Sequence, residues 1–319
     1  MYDKTFLLEL YKMLFTIRVF ETECIKLYRQ GLIRGYFHPY LGEEAIGVGV
    51  CAALDERDYI ASTHRGHGHC IARGADIKKM VAELLGKKTG YCKGLGGSMH
   101  IADFAAGNLG ANGIVGAGIP LGVGAALSSS LRDDKSVSVI FTTDGATNNG
   151  VFTEALNLAA IWDLPAIIVV ENNHYAVSTP IEDSTREPDL YKRGLGYGVE
   201  SFAVDGNNVI EVYEQAKDAV AKCREGQGPI LIEAKTFRHG GHHVNDPGQY
   251  LPKDRLEHFM AKDPVTFGRT YLIENSDVTA AAIERLEGKV KAQMEAAIEF
   301  AKESPELTLE EFSEIVEDC

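Results

Sequence analysis

Apolar residues recur at helical spacing from the start of the chain. Phe6, Leu10, Leu14 and Ile17 fall on one stripe and predict an amphipathic helix over residues 5–30. Residues 43–54 and 76–86 read as two further helices, the second running into a glycine-rich loop, "GYCKGLGGSMH". At 110–131 a loop passes into a helix of small residues. Gly118, Gly122 and Ala126 share one of its faces, which lets another backbone approach closely and predicts a tight helix–helix contact, within the chain or between subunits. The pattern then changes period. "VSVIFTT" (137–143) and "AIIVVE" (166–171) are continuous β-rich apolar runs of the kind buried on both faces of a parallel sheet. A helix carrying Val151, Ala155, Leu158 and Trp162 lies between them, making a β-α-β unit whose two strands run parallel. Residues 201–204 and 230–237 are additional strand candidates, and helix resumes after about residue 251, clearest at 278–302.

Strands alternating with helices define an α/β fold with a mostly parallel sheet and helices on both faces. With 319 residues and 45% hydrophobic content, the chain has material for a sizeable core. No internal repeat or linker divides it, so residues 1–319 are expected to form one domain with an N-terminal helix and a helical C-terminal extension. A formal net charge of −14 argues against nucleic acid as a partner. No run of 18 apolar residues offers a membrane span, and the start lacks a signal-peptide pattern, so a cytoplasmic location is expected. The six cysteines are scattered without a C-x-x-C pair, as in a reduced chain with incidental thiols.

Candidate chemistry sits at the ends of the β-α-β unit. Asp144-Gly145 follows the first strand and Asn172-Asn173 ends the second. Open parallel sheets bind ligands at the carboxyl ends of their strands, so positions distant in sequence converge there. A carboxylate and an amide oxygen are hard donors suited to Mg²⁺ or Ca²⁺, and the following helix start offers N–H groups to an anion. A diphosphate held through a divalent ion fits this pairing.

The stretch resembles the thiamine-diphosphate motif, an acid–glycine turn followed about thirty residues later by two asparagines; Asp144, Glu154, Asn157, Leu164-Pro165 and Asn172-Asn173 fall where it expects them. More widely, "FHPYLGEEAIGVG" (37–49), "HRGHGH" (64–69), "GLGGSMH" (94–100), "GANGIVG" (110–116) and "HGGHHVNDPG" (239–248) resemble the α subunits of thiamine-diphosphate-dependent 2-oxo-acid and acetoin dehydrogenases, over about residues 10–300. The resemblance implies thiamine diphosphate and Mg²⁺ as cofactors. Asp144 and Asn173 would ligate the metal together with the backbone carbonyl of Tyr175. Gly145 and Ala146 would lie against the diphosphate. Arg65, with His64 beside it, would reach the cofactor, and Gly113 and Val115 would approach it through the backbone. His242 would sit near the reacting centre as proton donor or electrostatic stabiliser, with His64 as the other catalytic candidate.

The resemblance also implies an α2β2 assembly with the cofactor at the interface, where a separate β subunit supplies the activating glutamate. The acyl fragment would pass to a lipoyl group on a partner acyltransferase. "GANGIVGAGIP" is most similar to bacterial acetoin dehydrogenases, with pyruvate and branched-chain 2-oxo-acid dehydrogenases as alternatives. Thr143 departs from the family glycine, Gly240 replaces a frequent histidine, and His243 stands where mitochondrial relatives carry a phosphorylated serine. Three other readings fit the sequence less well. Zinc held by His64, His67 and His69, or by His239, His242 and His243, lacks H-E-x-x-H or paired cysteines. A nicotinamide oxidoreductase lacks G-x-G-x-x-G. A cofactor-less assembly subunit is favoured by Thr143 alone.

Overall fold

The computed structural model describes residues 2–317. Its centre is a five-stranded, all-parallel sheet of β1 (Tyr59–Ala61), β2 (Ser138–Thr143), β3 (Ala166–Asn172), β6 (Glu200–Asp205) and β7 (Ile230–Lys235), in the order β1-β2-β3-β7-β6. The two apolar runs form adjacent parallel strands, with Thr143 opposite Glu171 at their carboxyl ends. A small hairpin, β4 (Tyr175–Ala176) with β5 (Thr179–Pro180), follows β3.

Strand residues alternate between two apolar layers. Val139, Phe141, Ile167, Val169 and Ile232 meet helix α2 (Glu44–Cys51) and the helix Val209–Arg224. Ile140, Ile168, Val170 and Leu231 meet α5 (Gly118–Arg132) and α6 (Gly150–Ile161). A third cluster gathers around α1 (Lys4–Arg29), with α3 (His67–Ala72), α4 (Ile77–Leu84) and the helices Pro264–Glu274 and Ala280–Glu303. The expected N-terminal stripe is therefore buried, although Phe6 itself is half-buried against Tyr2 and Tyr213, and Leu7 takes the core position.

Two packing expectations need correction. The small face of α5 meets the sheet within this chain: a Cβ on Gly122 would lie 2.2 Å from Ile140 Cγ1 and 3.3 Å from Ala61 Cβ. The core face of α6 is Phe152, Ala155, Leu156 and Ala159, while Leu158 and Trp162 are 42% and 49% exposed. Of the four positions expected from the sequence only Ala155 belongs to the core face, because the side turned to the sheet is the one that carries Phe152 and Leu156. Among the described residues no helix is long and apolar enough to cross a membrane. Cys24, Cys51, Cys70 and Cys223 are buried free thiols, Cys92 is a half-buried one, and Cys319 lies outside the described residues.

Candidate active site

Four adjacent strands deliver side chains to one cleft. Beyond β1 come His64 and Arg65, beyond β2 Asp144 and Gly145, beyond β3 Asn173 and Tyr175, and beyond β7 Arg238 and His242. With His38, Met99, Gly113, Val115, Thr143, Ala176 and Val177 they line a cavity of about 200 Å³. The residues singled out from the sequence are thus brought together, with one exception. Ala146 is buried behind Thr143 and borders a neighbouring crevice instead. Of the other histidines considered for zinc, His67 and His69 turn away into the core, where they meet Glu21 and Glu171.

At the Asp144 end of the cleft, burial raises the Asp144 carboxyl to about 6, against the opposing pull of the Gly145 N–H and the Arg238 and Arg65 charges. Asn173 donates from Nδ2 to Glu43 Oε1 at 2.9 Å. A carboxyl oxygen there accepts, which sets the amide orientation and leaves Oδ1 as the free lone-pair donor, shared only with a long 3.3 Å contact from the Tyr175 N–H. Asn172 does not take part. Its Nδ2 donates to Glu233 at 2.6 Å and its Oδ1 accepts from the His174 N–H. Thr143 lines the cleft, and its Oγ1 accepts a long 3.4 Å bond from the Ala146 N–H, so the hydroxyl closes the turn after β2. Gly145 is required by packing, since a Cβ there would lie 2.7 Å from Ala176 Cβ.

At the other end two guanidinium groups face the His242 loop. Arg65, 2% exposed, donates to Pro39 O at 2.7 Å and to His242 O at 3.0 Å. Arg238 donates to His242 Nδ1 at 3.1 Å and to Val177 O at 2.9 Å. Asp246 anchors the loop by accepting from the His242 N–H and the Tyr250 hydroxyl, both at 2.6 Å. His38 lies 4.9 Å from His64 and 4.8 Å from His242, ring centre to ring centre. Burial and then the Arg65 charge hold all three imidazoles neutral, His38 at about 2, His242 at about 3 and His64 well below 6.5.

Four contributors escaped the sequence reading. Glu43 and His38 lie inside a motif that was quoted whole, yet nothing in the spacing shows that Glu43 meets Asn173, 130 positions away. Arg238 immediately precedes the "HGGHH" run, and nothing in the pattern sets it apart from other basic residues. Val177 holds φ +56, a conformation a β-branched residue seldom adopts, at the lip of the cleft. That strain has no sequence signal, and its carbonyl is the one Arg238 takes.

An open parallel sheet with an acid, an amide oxygen and two arginines gathered at its strand ends defines an α/β protein built to hold a small anionic ligand there. The family model for the dehydrogenase E1 component matches residues 12–310, and the chain belongs to that family. The family implies thiamine diphosphate as cofactor and makes the chain part of a thiamine-dependent oxidoreductase. The acetoin:2,6-dichlorophenolindophenol oxidoreductase α subunit of Bacillus subtilis is 46% identical over 93% of this chain and 89% of that protein. Its counterpart from Cupriavidus necator is 44% identical over 95% and 92%. The pyruvate dehydrogenase E1 component α subunit of Rickettsia bellii is 37% identical over 92% and 90%.

Proposed function

We propose that this chain is the α subunit of a dehydrogenase that cleaves acetoin, holding thiamine diphosphate through Mg²⁺ at the described cleft. The convergence of Asp144 with the outward Oδ1 of Asn173, opposite Arg65 and Arg238, carries the reading. The residues fit the cofactor. The donors on the metal side are hard oxygens. Arg238 Nε and His38 Nδ1 are buried polar atoms without a protein partner, as expected where a ligand completes the set.

In this reading Asp144, Asn173 and the Tyr175 carbonyl hold the metal, and the backbone at Gly145 and Ala146 lies against the diphosphate. Val115 approaches with its N–H side, because its carbonyl accepts from Asn149 Nδ2 at 3.2 Å. Bound thiamine diphosphate supplies the nucleophilic carbon and electron sink for breaking the bond beside a carbonyl. The protein's part is to place protons. Arg65 and Arg238 both point N–H groups at His242 Nδ1, so Nδ1 is the acceptor and the ring proton sits on Nε2. His242 can then donate to a developing oxyanion without carrying charge, and an anion between the two arginines opposes the lowering of its pKa. His64, equally neutral, is the second proton-handling candidate.

An apolar ridge supports subunit assembly. Leu158, Ile161 and Trp162 are exposed on one face at the end of α6, Leu121 is exposed in the first turn of the neighbouring α5, and Ile114, Val115 and Val177 are exposed at the cleft mouth. A monomer seldom leaves so much apolar surface together. The surface fits a β subunit closing the cleft in an α2β2 enzyme, in the cytoplasm, with a lipoyl-bearing acyltransferase taking the acyl unit. Pyruvate is the second substrate reading, and the higher identity to the acetoin-named relatives favours acetoin. Two measurements test the proposal. Asp144→Ala should abolish Mg²⁺-dependent thiamine diphosphate binding in calorimetry while circular dichroism stays native; unchanged affinity would sink the site. With the β subunit present, turnover of pyruvate in preference to acetoin would overturn the substrate.

A further inference from the structure

The glycine-rich loop that follows α4 is held by two buried acids that the chemistry described so far does not use. Glu83, fully buried on α4, accepts four backbone N–H groups: Cys92 at 2.8 Å and Gly94 at 2.9 Å on Oε2, Gly96 at 2.7 Å and Gly97 at 3.0 Å on Oε1. One carboxylate therefore satisfies four donors of the turn, while the Lys93 and Leu95 N–H groups go to the Gly90 and Cys92 carbonyls. The chain winds tightly around it, since a Cβ on Gly90 would lie 2.4 Å from Glu83 Oε2, and Gly94 takes φ +80.

The second tether begins on α1. Glu21 Oε1 meets His67 Nδ1 at 3.0 Å, and His67 Nε2 meets Ser98 Oγ at 3.0 Å, all three side chains buried. A carboxylate oxygen accepts, so Nδ1 carries the ring proton and Nε2 accepts from the Ser98 hydroxyl. The outcome of both tethers appears one residue further on. Met99 lines the cleft, and a Cβ added to Gly113 would lie 3.6 Å from Met99 Cε and 3.5 Å from His100 Nε2, so both side chains pack against that glycine.

We infer that Glu83 and the Glu21–His67–Ser98 chain are positioning groups that set residues 92–100 as a rigid wall of the cofactor cleft, fixing where Gly113 can meet thiamine diphosphate. The inference rests on the proposed cofactor site. Four glycines make this turn flexible by composition, and the carboxylate removes that freedom before the cofactor arrives. A loop competent only part of the time lowers apparent affinity by that fraction.

The test uses the assembled enzyme with its β subunit. Ser98→Ala removes the last link while leaving both acids and the fold in place, and Glu83→Gln replaces one of the two accepting oxygens with a donor. Thiamine diphosphate binding in the presence of Mg²⁺ should weaken about tenfold in Ser98→Ala, as for a loop competent roughly a tenth of the time, and further in Glu83→Gln, with kcat at saturating cofactor close to wild type. Lys93 is exposed within the loop and reports its opening to trypsin. Cleavage there should speed up in Ser98→Ala and be slowed again by saturating thiamine diphosphate, because coupling between loop and cofactor is reciprocal. Faster cleavage with unchanged cofactor affinity would overturn the inference, as would unchanged cleavage and affinity together. Should Glu83→Gln fail to assemble, Ser98→Ala decides alone. A wild-type enzyme that does not bind thiamine diphosphate would instead overturn the underlying site.

Discussion

Thr143 stands where the resemblance described above expects a glycine, and its hydroxyl accepts from the Ala146 N–H at the long distance of 3.4 Å. If that contact shapes the turn for the diphosphate, Thr143→Val should weaken cofactor binding by roughly 0.5–1.5 kcal/mol, the worth of one hydrogen bond. Thr143→Gly binding equally well in calorimetry would show the side chain to be merely tolerated. His38 makes a separate prediction about pH. Its folded pKa, about 2, lies far below the ordinary 6.5. Between those values the unfolded chain binds a proton that the folded chain refuses, so stability rises with pH across this window and is lost as pH falls below about 6.5. His38→Gln should flatten the part of that slope which His38 causes. Thermal unfolding of the cofactor-free protein from pH 7.5 to 5 measures it, and an unaltered slope would show that His38 does not contribute.

Elements here are selected by fit against the sheet. In α5, Gly122 faces Ile140 at a distance that admits no Cβ, whereas Gly124 on the opposite side has nothing within 4 Å. Gly122→Ala should therefore overpack the α5–β2 contact and destabilise the isolated chain by about 1–3 kcal/mol, less the gain in helix propensity. Gly124→Ala should stabilise it by about 0.5–1 kcal/mol. Denaturant unfolding of the isolated chain distinguishes the two contacts. A harmless Gly122→Ala that impaired only assembly would restore the subunit-contact reading that the coordinates of Ile140 argue against. The same selection explains α6, where Phe152 and three small or medium residues fill the core layer and the bulky Leu158, Ile161 and Trp162 are left outside.

For the whole molecule, three buried glutamates near the strand ends already bond groups of this chain. Glu43 accepts from Asn173, Glu171 meets His69, and Glu233 accepts from Asn172 and the Tyr191 N–H. The chain alone, saturated with Mg²⁺ and thiamine diphosphate, should be inert toward acetoin and pyruvate with an artificial electron acceptor, and should gain turnover when the β subunit is added. Substantial activity without that subunit would place the activating carboxylate in this chain.

Sequence alone determined the α/β class, the parallel pairing of the two central strands and the meeting of Asp144 with the 172–173 pair, because periodicity and chain order depend on local geometry. It also placed His64, Arg65, Gly113, Val115 and His242 through a family resemblance. Tertiary structure decided which asparagine offers its oxygen. Asn172 and Asn173 are indistinguishable in sequence, and the choice is made by Glu233 on one side and Glu43 on the other. What the small face of α5 packs against, the phase of α6, the recruitment of Arg238 and His38, and the two acid tethers of the glycine loop were settled by the tertiary structure too. Some of these contacts join residues distant in sequence, Asn173 with Glu43 and Arg65 with His242, and their nearness exists only once the sheet has ordered its strands.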